Sequence, residues 1–196
     1  MAIIDPGTNC AVRFSSFVTA ETAGVRRVTE WRHKSQIFFA GQTSGKNWQE
    51  RMAMLTRFLS ESALFKLCDV YVIEAQHENN VLITLGCIVG IITTMRQNEV
   101  VVRTKRSGND AVETMPYVIA TMKASIKSAV IKNVLGITLR SKKPLADIKD
   151  LGIQVAKKIA TDMGDEATLE MLVDDAKIDD IADTVCYERG FYMILE

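Results

Sequence analysis

The sequence predicts an α/β fold. Two observations carry this. Two runs near the start, rich in Val and Phe or alternating, read as antiparallel strands. Further on, short apolar runs alternate with longer segments at helical spacing. The composition allows the core such a fold needs. Of 196 residues, 47% are apolar and 24% charged. That balance excludes disordered, collagen-like and coiled-coil chains. A chain of this length buries about two-thirds of its unfolded surface and needs no staples.

The elements follow in order. Ala2 to Asp5 is a short apolar strand that ends at the turn signal Asp5-Pro6-Gly7. Ala11 to Val18 and Val25 to Trp31 read as strands, with a turn over Glu21 to Gly24. Gly41 to Lys46 is a loop. Asn47 to Phe65 carries Trp48, Met52, Leu55, Phe58 and Leu59 at helical spacing. Asp69 to Ile73 is a strand that delivers Glu74 at its end. Asn79 to Met95 is apolar nearly all round, which predicts a buried helix or one shared with a partner. Gly86 and Gly90 on it would permit close helix approach.

Val100 to Val102 reads as the next strand, followed by a basic loop from Thr104 to Asp110. Ala111 to Lys132 reads as helical, with Pro116 confined to its first turn or breaking it. Lys142, Lys143 and Pro144 precede a helix from Leu145 to Met163. A short helix is expected within Gly164 to Ala176, and Ile178 to Ile194 forms the last. No repeat or low-complexity tract interrupts the chain. It reads as a single domain over 1–196 with a helical insertion around 104–140.

Charge excludes little globally and much locally. Lys plus Arg and Asp plus Glu both number 24. Between Arg103 and Lys158, however, 12 basic residues face 4 acidic ones, and between Asp162 and Glu188 there are 10 acidic residues and one lysine. A basic segment beside an acidic one suits an anionic ligand held near a metal-binding site; two mutually neutralising solvated faces are the plainer reading. The longest apolar stretch, Val81 to Met95, falls short of the roughly 20 residues that span a bilayer. No signal peptide is visible. Cys10, Cys68, Cys87 and Cys186 are scattered and read as free thiols of an intracellular, reducing compartment.

Three acidic sites stand out, the third a pair. Asp5 and Glu74 each end an apolar strand, and Asp180 and Asp183 share one face of the last helix. Taken singly, Asp5-Pro6-Gly7 is a turn, Glu74 a strand-end charge, and the aspartates a helix start favoured by the dipole. Together they can hold two divalent cations, the set that phosphodiester hydrolysis needs to activate water and stabilise the leaving oxygen. The last helix is apolar on both sides toward its end, so these carboxylates sit at the head of a largely buried helix.

Ile3-Ile4-Asp5-Pro6-Gly7-Thr8-Asn9 resembles the first strand and turn of RuvC-type Holliday junction resolvases. Val72-Ile73-Glu74-Ala75-Gln76 resembles their second acidic strand. Lys177-Ile178-Asp179-Asp180-Ile181-Ala182-Asp183 resembles their acidic helix, closest to the poxvirus branch. The resemblance implies a ribonuclease H-like mixed sheet flanked by helices. It implies a homodimer that cuts four-way or branched DNA, a role in recombination and repair, and two Mg²⁺ per active site, replaceable by Mn²⁺. The viral likeness points to the cytoplasm of an infected host cell.

By motif position Asp5, Glu74, Asp180 and Asp183 are the implied metal ligands, with Asp179 in reserve. The family's lysine near the scissile phosphate matches Lys149 best, with Lys142 and Lys143 as alternatives; its charge would stabilise the phosphate. Lys105, Arg106, Lys142 and Lys143 are candidate DNA contacts, and Arg13, Arg26, Arg27, Arg32, His33 and Lys34 candidate backbone contacts on the early hairpin. His77 is a candidate substrate contact or a polar loop residue. Two other classes remain in view. One is an actin-like nucleotide-binding fragment, for which the chain is short. The other is a non-catalytic DNA-binding module on the same fold.

Overall fold

The computed structural model describes all residues except 8, 23–24, 38–45, 76–78, 108–116, 140–144, 175–177 and 196, and the side chains of those described except 17–22, 25–31, 37, 79–81, 97–107, 145–146 and 174. Strands β1 (Ala2–Asp5), β2 (Ala11–Thr22) and β3 (Val25–Ile37) open the chain. Helices α1 (Trp48–Glu61) and α2 (Ala63–Lys66), strand β4 (Val70–Ala75) and helix α3 (Asn79–Ser107) follow. Then come β5 (Val118–Lys123), α4 (Ile126–Leu135), α5 (Leu145–Met163), α6 (Glu166–Asp174) and α7 (Ile178–Leu195).

The five strands form one mixed sheet in the order β3-β2-β1-β4-β5. The first three are antiparallel neighbours; β4 and β5 run parallel to β1. Strand alternation divides the side chains between two faces. Ala2, Ile4, Val12, Phe14, Tyr71 and Ile73 pack with Leu55 and Leu59 of α1 and Ile88 and Ile92 of α3. Ile3 and Val72 point the other way, onto Tyr187 of α7 and Met122 of β5. Asp5, Arg13 and Glu74 share this second face by the same alternation. Helices α4, α5 and α7 pack together through Val130, Ile131, Val155, Ile181 and Val185.

One glycine sets a close approach. A Cβ on Gly190 of α7 would lie 2.5 Å from Ile126 Cγ1 and 3.2 Å from Met122 Cε. Only the missing side chain lets α4 and β5 come this near to α7.

Several boundaries differ from the sequence reading, each for a physical reason. The expected helix over 47–65 is two, because Ser62 ends one and starts the next. Its N–H donates to Phe58 O at 2.9 Å and its hydroxyl accepts from Phe65 N at 3.2 Å. Val100 to Val102 lie inside α3, not in a strand. Three consecutive valines favour a strand only weakly, and continuing a helix already formed costs less than nucleating a new element. The fifth strand is Val118–Lys123, inside the segment expected to be helical. Its Ala, Met and Lys suit a helix, but pairing with β4 from Val70↔Val118 to Ala75↔Lys123 decides otherwise. Around 104–140, where a helical insertion is expected, the described residues hold the end of α3, this edge strand and α4. The four cysteines are free thiols. Among the described residues no helix is long and apolar enough to cross a membrane.

Candidate active site

The end of β1 is shaped by its turn. Gly7 N–H donates to Asp5 Oδ1 at 3.0 Å, and a Cβ on Gly7 would sit 3.1 Å from the same oxygen. Cys10 N–H closes the turn on Gly7 O at 3.2 Å, and Cys10 takes a left-handed φ of 46° before β2 begins. A side chain other than glycine is strained there, as at many functional turns. The turn also presents Asn9, whose Nδ2 donates to Asp180 Oδ2 at 2.7 Å. The β1 turn is thus tied directly to the first turn of α7.

Parallel pairing places Ile3 beside Val72 and Ile4 beside Ile73, so the next residues, Asp5 and Glu74, end neighbouring strands. Both are buried. Asp183 reaches them from α7. Burial, with Glu74 and Asp183 nearby, holds the Asp5 carboxyl well above its ordinary range. The Asp183 carboxyl is pushed up to about 6 by burial and by Glu74 and Asp180, against the opposing pull of Lys127. Asp5 and Asp183 are thus both raised by burial and by neighbouring carboxylates, Glu74 acting on each.

A lysine that sequence reasoning missed meets these carboxylates. Lys127, in the first turn of α4, donates from Nζ to Asp183, and its Nζ lies 5.3 Å from the centre of the Tyr187 ring. Burial works to lower its pKa, but Asp183, then Glu74 and Asp5, raise it above the ordinary lysine value. Tyr187 donates its hydroxyl to Glu74 Oε1. Lys149 sits elsewhere. Its Nζ meets Asp179 at 2.5 Å, with Asp180 and Asp183 acting on it more weakly, and its side chain is 53% exposed against 19% for Lys127. The hydrogen bond to Asp179 raises its pKa.

The remaining candidates scatter. Lys105 and Arg106 are helical residues of α3 whose side chains are not described, and Lys142, Lys143 and His77 lie outside the described residues. Arg32 and Lys34 are exposed on β3. Arg13 is not a DNA contact, because its side chain is 0% exposed. It donates from Nε to Glu188, from Nη2 to Asp165 at 2.8 Å, and from Nη1 to Ser35 at 3.0 Å and Thr168 at 2.7 Å. His33, expected on the DNA side of the hairpin, turns toward this group, with Nδ1 3.4 Å from Glu188 Oε1.

The carboxylates suit a hard divalent cation chemically. They are oxygen donors, and burial with neighbouring negative charge makes Asp5 and Asp183 bind protons more readily than ordinary aspartates. Among the described residues no three acidic, histidine or cysteine side chains already converge on one point at ligating distance. Asp183 instead meets Lys127, Asp180 meets Asn9 and Glu74 meets Tyr187.

No family model matches this chain, and no curated protein sequence matches it significantly. Solved structures do. The yeast mitochondrial Holliday junction resolvase Ydc2 aligns over 97% of this chain and 77% of its own, at 16% identity and a TM-score of 0.54. RuvC of Thermus thermophilus aligns over 99% of this chain and 96% of its own, at 13% identity and a TM-score of 0.45. The likeness to the yeast protein shows the fold: a ribonuclease H-like mixed sheet flanked by helices.

Proposed function

We propose that this chain is a metal-dependent, structure-selective endonuclease that resolves four-way DNA junctions by hydrolysing phosphodiesters. The observation that supports the reading is that Asp5, Glu74 and Asp183, with Asp180 beside Asp183, lie close enough to raise one another's charge cost, on a fold shared with the yeast resolvase. Asp5, Glu74, Asp180 and Asp183 would hold Mg²⁺, with Mn²⁺ able to replace it. Bound there, the cation supplies charge neutralisation and a more acidic water.

The chain's own residues do the rest. A water oxygen attacks phosphorus, the bond to the 3′-oxygen breaks, and a 5′-phosphate and a 3′-hydroxyl result. We assign to Lys127, which donates to Asp183, the electrostatic role the resemblance gave to Lys149: its charge would offset the negative charge growing on the phosphate. Lys149, on the rim with Asp179, is better placed to meet the DNA backbone outside the reacting group. Two sites are needed for paired nicks. Leu82 and Ile83 of α3 are 44% and 47% exposed, and Gly86 and Gly90 have open space where a side chain would be. This apolar face is where we place the second copy of a homodimer.

The test is cleavage of a labelled four-way junction against matched linear duplex, with and without Mg²⁺, with Asp180→Asn beside wild type. Wild type is expected to cut chiefly the junction, only with metal, and Asp180→Asn to remain folded by circular dichroism and lose at least about a hundredfold in rate. Junction binding without cutting, in every metal tried, would replace this reading with a binding module.

A further inference from the structure

Two consecutive residues of α7 reach in opposite directions. Tyr187 donates its hydroxyl to Glu74 on β4, while Glu188 accepts from Arg13 on β2. These strands flank β1 on either side. The helix therefore lies over β1 and is gripped on both sides of it. Tyr187 is four residues, about one turn, beyond Asp183 and is completely buried. Its ring packs with Ile3, Val72 and Met122, and one ring face borders Lys127.

The ring alone would serve the packing. A phenylalanine fills the same space and buries no hydroxyl that needs a partner. What the hydroxyl adds is direction. The terminal torsion of a glutamate is broad and roughly two-fold, so packing alone does not fix its plane. A buried donor on Oε1 restricts it, beside the Asp5 carboxyl that also meets Glu74. We propose that Tyr187 is a positioning residue: its hydroxyl holds the Glu74 carboxylate in the plane from which Glu74, together with Asp5 and Asp183, takes a divalent cation. This inference rests on the metal-dependent reading of the site.

Tyr187→Phe in the full chain removes one oxygen and keeps the ring over which Lys127 lies. Mn²⁺ binding without DNA, followed by electron paramagnetic resonance, reads the site apart from cleavage. The expected result is Mn²⁺ affinity about 10- to 100-fold weaker, and a matching rise in the Mg²⁺ concentration that half-saturates junction cleavage. Glu74→Gln and the double variant complete a cycle. If Tyr187 acts through Glu74, Tyr187→Phe costs little more once Glu74 is Gln. Additive losses would instead make the hydroxyl merely structural and overturn the proposal, as would a Tyr187→Phe protein that binds Mn²⁺ like wild type. If wild type binds Mn²⁺ but cuts no junction, the nuclease reading falls and the role of Tyr187 is still decided by binding. If wild type binds no Mn²⁺, both fall.

Discussion

α7 carries carboxylates into two buried clusters, and they titrate in opposite directions. At its start, Asp183 joins Asp5 and Glu74, and its carboxyl is held up at about 6 by burial and its acidic neighbours. Toward its end, Glu188 meets Arg13. Burial would raise the Glu188 carboxyl too, but Arg13, with His33 and Ser15, brings it down to about 2. Asp165, on the same arginine, is also lowered, by Thr168 and Arg13 against burial. The residue types are alike; Asp183 is the more exposed, at 23% of its side chain against 2% for Glu188, yet the larger difference is the supply of positive charge. Arg13 spreads a full charge across a rigid fork with four partners. Lys127 is one ammonium among four carboxylates. The Glu188 cluster is held by a buried guanidinium that bonds both of its carboxylates. The Asp183 cluster carries a deficit that a divalent cation would fill.

Removing one member of each cluster should separate them most widely. Arg13→Ala strands Glu188 and Asp165 as buried, unpaired charges and is expected to cost about 3–5 kcal/mol of folding stability. Asp5→Asn relieves repulsion in the metal-free protein, so its urea midpoint should stay level or rise while junction cleavage is lost. A destabilised Asp5→Asn protein would show that the carboxylate cluster is already balanced, and the contrast would fail.

Acid titration sharpens the same contrast at a slightly smaller scale. The folded Glu188 carboxyl, at about 2, lies below the ordinary value near 4.3, so its stabilisation is complete above the ordinary value and lost as pH falls toward 2. The shift corresponds to about 3 kcal/mol. Arg13, Asp165, His33 and Tyr192 are the charged or titratable groups that face it. Asp183 has the opposite sign. Its folded value of about 6 lies above the ordinary one, so metal-free stability is lost as pH rises through 6. Glu188→Gln should therefore flatten the acid limb of a stability–pH curve measured by urea unfolding. Asp183→Asn should flatten the limb between about 4 and 6. Identical curves for wild type and Glu188→Gln would mean that Arg13 does not hold this carboxylate.

The two clusters were not equally legible in the sequence. Asp5 and Glu74 announce themselves because an acidic residue ending an apolar run is local information, and Asp180 and Asp183 share a face by spacing alone. Lys127 has no such mark among the basic residues of its segment. It becomes visible only when β5 pairs with β4 and α4 follows, and the Ala, Met and Lys of β5 hide that strand inside an apparent helix. Arg13 misleads for a related reason. A charge in a short apolar strand reads as solvent-facing, and the partners that bury it, Asp165 and Glu188, lie 152 and 175 residues away. Paired strand ends survive without tertiary information; buried charge networks do not.

The smallest expected effect tests whether the two clusters are mechanically separable. Gly190 sits just beyond Glu188 but faces the other way, against Ile126 and Met122. Ile126 is the residue before Lys127. A methyl at Gly190 would press on Ile126 Cγ1 from 2.5 Å and must push α4, and Lys127 with it, away from α7. The Arg13 fork lies on β2 and has no part in that contact. Gly190→Ala is therefore expected to cost about 1–3 kcal/mol of stability by overpacking. Junction cleavage, measured well below the melting temperature, should fall further than that loss of folded protein explains. The acid limb that reports Glu188 and Arg13 should keep its shape. If that limb flattened as well, α7 would be shifting as a rigid body, and the clusters at its two ends would be one coupled unit.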